Sequence, residues 1–225
     1  DNAQAIGADY IYLDGGRAKT GTVAHIGCTS FFPSKNLGCY GDGGAIFTND
    51  GDLAEKMRIV ANHGQTRRYY HDWVGVNSRL DSIQAAILNV KLPHLDEYCE
   101  ARRSVAERYD AAFADIDGIT TPVRAPRSTH VFHQYTLRIA DGRRDELNAF
   151  LAERDIPSMI YYPVPLYKQN AFAETADPNF KLPATERLCE QVLSLPIHTE
   201  MDRETQEHII AGVREFFTRK SHTAG

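Results

Sequence analysis

The sequence predicts an α/β chain, on three observations. β-prone runs and runs of helical period are interspersed from one end to the other. Glycine-rich turns and prolines punctuate them. The composition, 42% hydrophobic and 24% charged over 225 residues, is that of an ordinary globular protein. Taken in order, residues 22–32 (TVAHIGCTSFF) read as a strand, and residues 44–48 (GAIFT) as a second strand after a glycine-rich turn. Residues 50–62 read as a helix with Leu53, Met57, Ile59 and Val60 on one side. Residues 81–114 form the longest helical pattern, with Asp81 placed to cap it and Pro93 placed to break it. A strand is expected over 131–139, a helix over 143–154 and a strand over 156–161, with two further helices within 183–193 and 202–217. A boundary inside the long helical stretch, at 95–103, predicts two domains, 1–98 and 99–225.

Composition also excludes. Lys and Arg total 25 against 30 Asp and Glu, for a formal charge of -5 and a pI near 6.0. Nucleic acid is therefore not the expected partner, because phosphate binding is carried by basic surfaces. No apolar run approaches the roughly 20 residues of a membrane span, and no signal-like segment opens the chain, which predicts a soluble cytoplasmic protein. Cys28, Cys39, Cys99 and Cys189 are far apart and form no C-x-x-C pair, so they are expected as reduced thiols and no metal site is expected. The chain opens on Asp1-Asn2-Ala3-Gln4 without an initiator methionine and reads as though something upstream had been removed.

The chemistry concentrates around one lysine. Lys35 lies in TSFFPSKNLG, followed by the glycine-rich YGDGGA. An amine in a tight, partly desolvated turn is disfavoured as a cation, which makes it a usable nucleophile. Hydroxyls at Thr29, Ser30 and Ser34 stand ready for an anionic ligand group. On composition alone, a surface hairpin with a solvated lysine is the plainer reading. The dinucleotide fingerprint is excluded, because it needs glycines between a strand and a helix.

The run SFFPSKNLGCYGDGGAI closely resembles the cofactor-lysine segment of the DegT/DnrJ/EryC1/StrS family of sugar aminotransferases. DNAQAIGA at the start, NHG at 62–64, GVNSRLDSIQAAI at 75–87 and IPSMIYYPVPL at 156–166 agree with it in order. The resemblance implies a fold-type I enzyme dependent on pyridoxal 5'-phosphate, with part of the large domain followed by a smaller α/β C-terminal domain. By resemblance, Lys35 holds the cofactor and moves protons, and Asp1 pairs with the pyridine nitrogen. Gln4 packs on the ring, Ser30 meets the phosphate, and Asn77 reaches the phosphate of a neighbouring subunit's cofactor. Arg79 faces an anionic substrate group, and Tyr161 and Tyr162 line the sugar pocket. The implied reaction moves an amino group from an amino acid, glutamate being expected, to a keto-sugar nucleotide for surface polysaccharide or amino-sugar synthesis, in a homodimer with shared sites.

Two alternatives stand beside this reading. Dehydratase relatives carry histidine in place of the lysine, and Lys35 argues against that reaction. A non-catalytic or regulatory member, or an inactive fragment, is the other reading, because the resemblance implies a long N-terminal portion before the aspartate motif. His25, His63 and His133 are expected as structural residues. Arg67, Arg68, Arg102 and Arg103 are expected on solvated faces, with nucleotide diphosphate binding as the minor alternative.

Overall fold

The computed structural model describes residues 1–175, 177 and 179–220. The chain divides into two compact units, one comprising Asp1–Arg103 with Arg124–His133, the other Ser104–Val123 with the residues from Gln134 on.

In the first unit, β1 (Asp9–Ile11) and β2 (Arg17–Lys19) form an antiparallel hairpin that the sequence pattern did not mark as strands. The turn between them lies at 12–16, where Gly16 N–H donates to Asp14 Oδ1 at 2.9 Å. β3 (Gly27–Ser30) and β4 (Gly44–Phe47) pair antiparallel with Ser30 opposite Gly44. The strand expected over 22–32 is thus shorter. Its first residues spend their carbonyls elsewhere, Thr48 Oγ1 donating to His25 O at 2.7 Å and Asn49 Nδ2 to Thr22 O at 3.4 Å.

α1 (Gly51–Ala61) starts where Asp50 Oδ1 accepts from Asp52 N and Leu53 N at 2.9 and 3.1 Å, the side-chain cap that satisfies otherwise orphaned amides. None of its residues is buried, despite the apolar side read from sequence. A small hairpin of β5 (Gln65–Arg67) and β6 (Tyr70–His71) follows. α2 (Ser82–Lys91) is capped by Asp81 through Ile83 N at 3.1 Å. Pro93 sits in the one-turn 3-10 segment Leu92–His94, and α3 (Leu95–Phe113) continues beyond it. The long helical pattern is therefore broken where the ring removes an N–H. Ala8, Phe31, Leu37, Cys39, Leu88, Leu95, Cys99 and Val131 form this unit's buried cluster.

In the second unit, β7 (Ile119–Thr120), β8 (Tyr135–Ile139) and β9 (Val192–Leu195) make an antiparallel sheet in that order. Tyr135, Leu137 and Ile139 alternate inward along β8 and are fully buried, as the two-residue period of a half-buried strand requires. α4 (Arg144–Ala152), α5 (Pro183–Gln191) and α6 (Arg203–Lys220) complete it. The strand expected over 131–139 begins only at Tyr135, because Phe132 takes φ 44° and its N–H donates to His130 Nδ1 at 3.0 Å. The strand expected over 156–161 is reduced to one bridge between Met159 and Ser194. Pro157 and Pro163 flank it and supply no ladder N–H. No helix among the described residues is long and apolar enough to cross a membrane.

Candidate active site

Lys35 is half-buried and sits in the loop that leaves β3. Its N–H donates to Phe32 O at 2.8 Å, and Phe32 N–H donates to Ser30 Oγ at 3.2 Å, so hydroxyl and amine belong to one tight turn. The loop is pinned along its length. Asn36 Nδ2 donates to Val131 O at 3.0 Å, Lys91 Nζ to Gly38 O at 2.5 Å, and Tyr40 N–H to Gln84 Oε1 at 2.8 Å. Cys39 N–H and Sγ both reach Phe31 O, at 2.8 and 2.9 Å. Gly38 is required by close approach, since a Cβ there would lie 2.4 Å from Pro33 O. None of these bonds uses the Lys35 side chain, so the scaffold presents the amine rather than consuming it.

The start of the chain is tied to the same strand. Asn2 N–H donates to Cys28 O at 2.7 Å, and Thr29 Oγ1 donates to Asn2 O at 3.1 Å. Asn2 is 1% exposed, which anchors the exposed Asp1, whose carboxylate accepts Ala3 N–H at 2.8 Å. Gln4 is exposed. The structure therefore gathers Asp1, Ser30 and Lys35 onto β3 and its flanks.

Asn77 and Arg79 are exposed and line a groove of about 1010 Å³ together with Cys28, Thr29, Gly44 and Met57. Lys35 is not among its lining residues. The segment bearing them is laced to the end of α1. Val76 N–H donates to Val60 O at 2.8 Å, His63 N–H to Val76 O at 2.9 Å and Ser78 N–H to Ala61 O at 2.9 Å. A Cβ on Gly75 would fall 2.1 Å from Gly64 N and 2.6 Å from Val60 O, both backbone. Gly75→Ala should therefore push this crossing apart and destabilise the protein by about 1–3 kcal/mol, the usual range for overpacking. A urea midpoint equal to wild type would contradict this.

Tyr161 and Tyr162 lie in the second unit, 36% and 67% exposed, with ring centroids 5.7 Å apart at 72°. The reciprocal Met159–Ser194 backbone bonds, 3.0 and 2.8 Å, fix the segment that leads to them. Arg67 and Arg68 are exposed on the β5–β6 hairpin, stacked over Tyr70 and Tyr69 at 3.6 and 5.0 Å from the ring centroids. No group of three or more His, Cys, Asp or Glu is arranged to hold a metal among the described residues.

Arg102 corrects the sequence reading. It is buried rather than solvated, 8% exposed, and its guanidinium donates to Phe132 O at 3.0 Å and His133 O at 3.2 Å. Arg103 is half-buried and pairs with Glu100 at 2.7 Å. The missed signal was spacing. Cys99, Arg102, Ala106, Tyr109 and Phe113 repeat at three and four residues along α3 and all are buried, so Arg102 falls on the apolar seam. Asn36, Gln84 and Lys91 were likewise not singled out as holders of the lysine loop, because their partners are backbone groups distant in sequence.

His133 is half-buried, and its pKa is pushed down to about 4 by burial first, then by the positive charges of Lys35 and Arg102. The unfolded chain takes up this proton near pH 6.5 and the folded one only near 4. Stability from this group is thus complete above about 6.5 and lost as pH falls toward 4. At roughly 1.4 kcal/mol per unit before solvent screening is discounted, the effect is of order 1–3 kcal/mol. His133→Gln should flatten the fall of the urea midpoint between pH 6.5 and 4.5. An unchanged slope would show that other groups govern it.

The family model for the DegT/DnrJ/EryC1/StrS aminotransferase family matches residues 1–214. A Geobacillus stearothermophilus protein named pleiotropic regulatory protein is 46% identical over 219 residues, covering 96% of this chain and 57% of its own. The Pseudomonas aeruginosa UDP-2-acetamido-2-deoxy-3-oxo-D-glucuronate aminotransferase is 45% identical over 213 residues, covering 95% and 56%. The crystal structure of a DegT DnrJ EryC1 StrS aminotransferase from Brucella abortus superposes with a TM-score of 0.87 at 40% identity, covering 96% of this chain and 56% of that one. The chain thus spans a little over half the length of the relatives it matches. It belongs to the DegT/DnrJ/EryC1/StrS aminotransferase family, and its mixed α/β structure is part of the fold-type I architecture.

Proposed function

We propose that the protein transfers an amino group from an amino acid, glutamate in the first instance, to a keto-sugar nucleotide, using pyridoxal 5'-phosphate. The observation that carries this reading is Lys35, an unconsumed amine on a pinned loop, five residues after a hydroxyl and tied through β3 to an anchored carboxylate. That donor set suits the cofactor: an amine for its aldehyde, Ser30 for its phosphate, Asp1 for its pyridine nitrogen and Gln4 for the face of its ring. Bound there, the cofactor supplies the electron sink that makes the amino-acid Cα–H acidic. Asp1 keeps the ring nitrogen protonated, and Lys35 Nζ takes the proton from the donor carbon and later returns one to the sugar carbon. Asn77 serves the phosphate site of a partner subunit, which makes the protein a homodimer with shared sites. Tyr161 and Tyr162 border the sugar.

Arg79 supplies the preference among sugars. A guanidinium matches a carboxylate in two parallel hydrogen bonds, so we place a uronic acid before a neutral sugar. The P. aeruginosa relative, named for a glucuronate substrate, supports that choice. Arg79→Ala should raise KM for a uronic-acid nucleotide by roughly ten- to a hundredfold, the worth of a charged hydrogen bond. Equal KM values for mutant and wild type would reassign the residue. The activated sugar and the amino donor place the reaction in the cytoplasm.

The direct test of the reading is borohydride reduction of the cofactor-loaded protein followed by peptide mapping. The label should fall on Lys35. Lys19 and Lys91 are the instructive controls, since Lys19 pairs with Asp9 at 2.9 Å and Lys91 holds Gly38 O. Label on either of them would sink the assignment. A second, regulatory reading is favoured by the name of the G. stearothermophilus relative. It requires that no label be fixed at all.

A further inference from the structure

One face of α2 meets the lysine loop through three residues at helical spacing, Gln84, Leu88 and Lys91. Leu88 is buried and shares a core cluster with Phe31, Leu37 and Cys39 of the loop. On either side of it, Gln84 Oε1 accepts Tyr40 N–H at 2.8 Å and Lys91 Nζ donates to Gly38 O at 2.5 Å. The helix thus grips the returning arm of the loop at two points, two residues apart. That arm lies directly on the outgoing one. A Cβ on Gly38 would fall 2.4 Å from Pro33 O and 2.8 Å from Phe32 O, so the two backbones are already in contact. Phe32 O in turn accepts the Lys35 N–H at 2.8 Å. A continuous path of contacts runs from Lys91 through Gly38 and Phe32 to Lys35.

We propose that Gln84 and Lys91 are positioning residues for Lys35, pressing the returning arm of the loop onto the arm that bears the amine and so fixing the direction from which Nζ works. The inference rests on the aminotransferase reading for its consequence in turnover, while the clamp itself stands on the hydrogen bonds. Beyond Lys35, Asn36 Nδ2 ties the loop to Val131 O at 3.0 Å. A single tie leaves the tip free to pivot, and the two points held by α2 remove that freedom. A charged donor on a carbonyl is among the stronger hydrogen bonds, which suits Lys91 to this task. The helix is a firm base for the grip, since Asp81 caps its start through Ile83 N at 3.1 Å. Arg79 stands two residues before that cap, outside the clamp, so releasing the clamp should spare the residue assigned to the sugar. Misplacing a reacting group by about 1 Å can cost on the order of a hundredfold in rate, which is the sensitivity a clamp of this kind protects.

The placement is tested in the cofactor-free protein by acetylation with limiting acetic anhydride and peptide mapping. Lys56, exposed on α1, is the internal standard. Gln84→Met and Lys91→Met remove the polar tips at similar length. Each should free the half-buried Lys35 and raise the Lys35-to-Lys56 labelling ratio by about threefold or more, because burial governs how an amine reacts. Gln84→Glu keeps an oxygen for Tyr40 N–H and should return the ratio to the wild-type value. A ratio unmoved by the methionine substitutions overturns the proposal. The consequence is tested with the cofactor-loaded protein. Both methionine variants should keep the borohydride label on Lys35 and lose about tenfold or more in kcat with KM for the sugar nucleotide little changed, the pattern of a misaligned amine. Gln84→Glu should recover most of that kcat. Wild-type kcat in a folded methionine variant, or a glutamate variant no better than methionine, overturns the proposal as well. Should Lys91→Met fail to fold, the two Gln84 variants decide. A wild-type protein that never links the cofactor to Lys35 defeats the proposed function alone, since the acetylation ratio still decides whether α2 sets the amine.

Discussion

Lys35→Ala should lower transamination by about 10²–10⁴-fold, the range a positioned proton-transfer group contributes. The variant should nevertheless fold as well as wild type. The bonds described for the loop are made by backbone or by Ser30, Asn36, Cys39, Gln84 and Lys91, and none by the Lys35 side chain. Lys35→Arg should be no better than alanine, because a guanidinium does not give up its proton and cannot take the one that leaves the donor carbon. Turnover and urea midpoints measured side by side separate the two effects. Retention of more than about a tenth of turnover by the arginine variant would mean that Lys35 supplies charge rather than proton transfer. Loss of the fold would mean that the amine is structural.

The legibility of this chain in its sequence followed the range of the interactions. Helices whose ends are written locally were placed well. Asp50 and Asp81 cap α1 and α2 through amides two or three residues away, and Pro93 ends a helix by its own geometry. Strands were less legible because pairing is decided at a distance. β1 and β2 are three residues each, and their pairing is supported by contacts such as Asp9 N–H to Thr129 Oγ1, 120 residues on. The run at 156–161 looked equally strand-like, yet only Met159 finds a partner in Ser194.

The candidate site divided in the same way. Lys35 and its glycine-rich loop formed a contiguous motif, and the family resemblance gave its neighbours roles to be tested. The residues that hold that loop in place were invisible as a motif. Asn36 meets Val131 across 95 positions, and Gln84 meets Tyr40 across 44. Arg102 was misread because charge is a good guide to exposure on most helices and fails where a backbone carbonyl waits on the buried side. Reading the period of α3 ahead of the charge of its residues would have placed Arg102 inside.

Mixing Lys35→Ala protein with Asn77→Ala protein should restore activity that neither has alone. In this chain Asn77 lines the groove beside Arg79, and Lys35 does not. That arrangement fits an Asn77 that serves the cofactor site of another copy. A hybrid dimer then carries one site with both residues intact and one with neither. Random exchange puts half of the dimers in the hybrid form, so recovery should approach about a quarter of wild-type activity, as closed two-fold assembly requires. The effect is large because each parent starts near zero, Lys35→Ala for want of the amine and Asn77→Ala for want of a phosphate contact in both sites. Exchange must be shown independently, by native mass spectrometry of the two parents. With exchange proven, an absence of recovery would place Asn77 and Lys35 in the same chain's site. The groove beside Arg79 would then need another occupant, and the shared-site dimer would have to be abandoned.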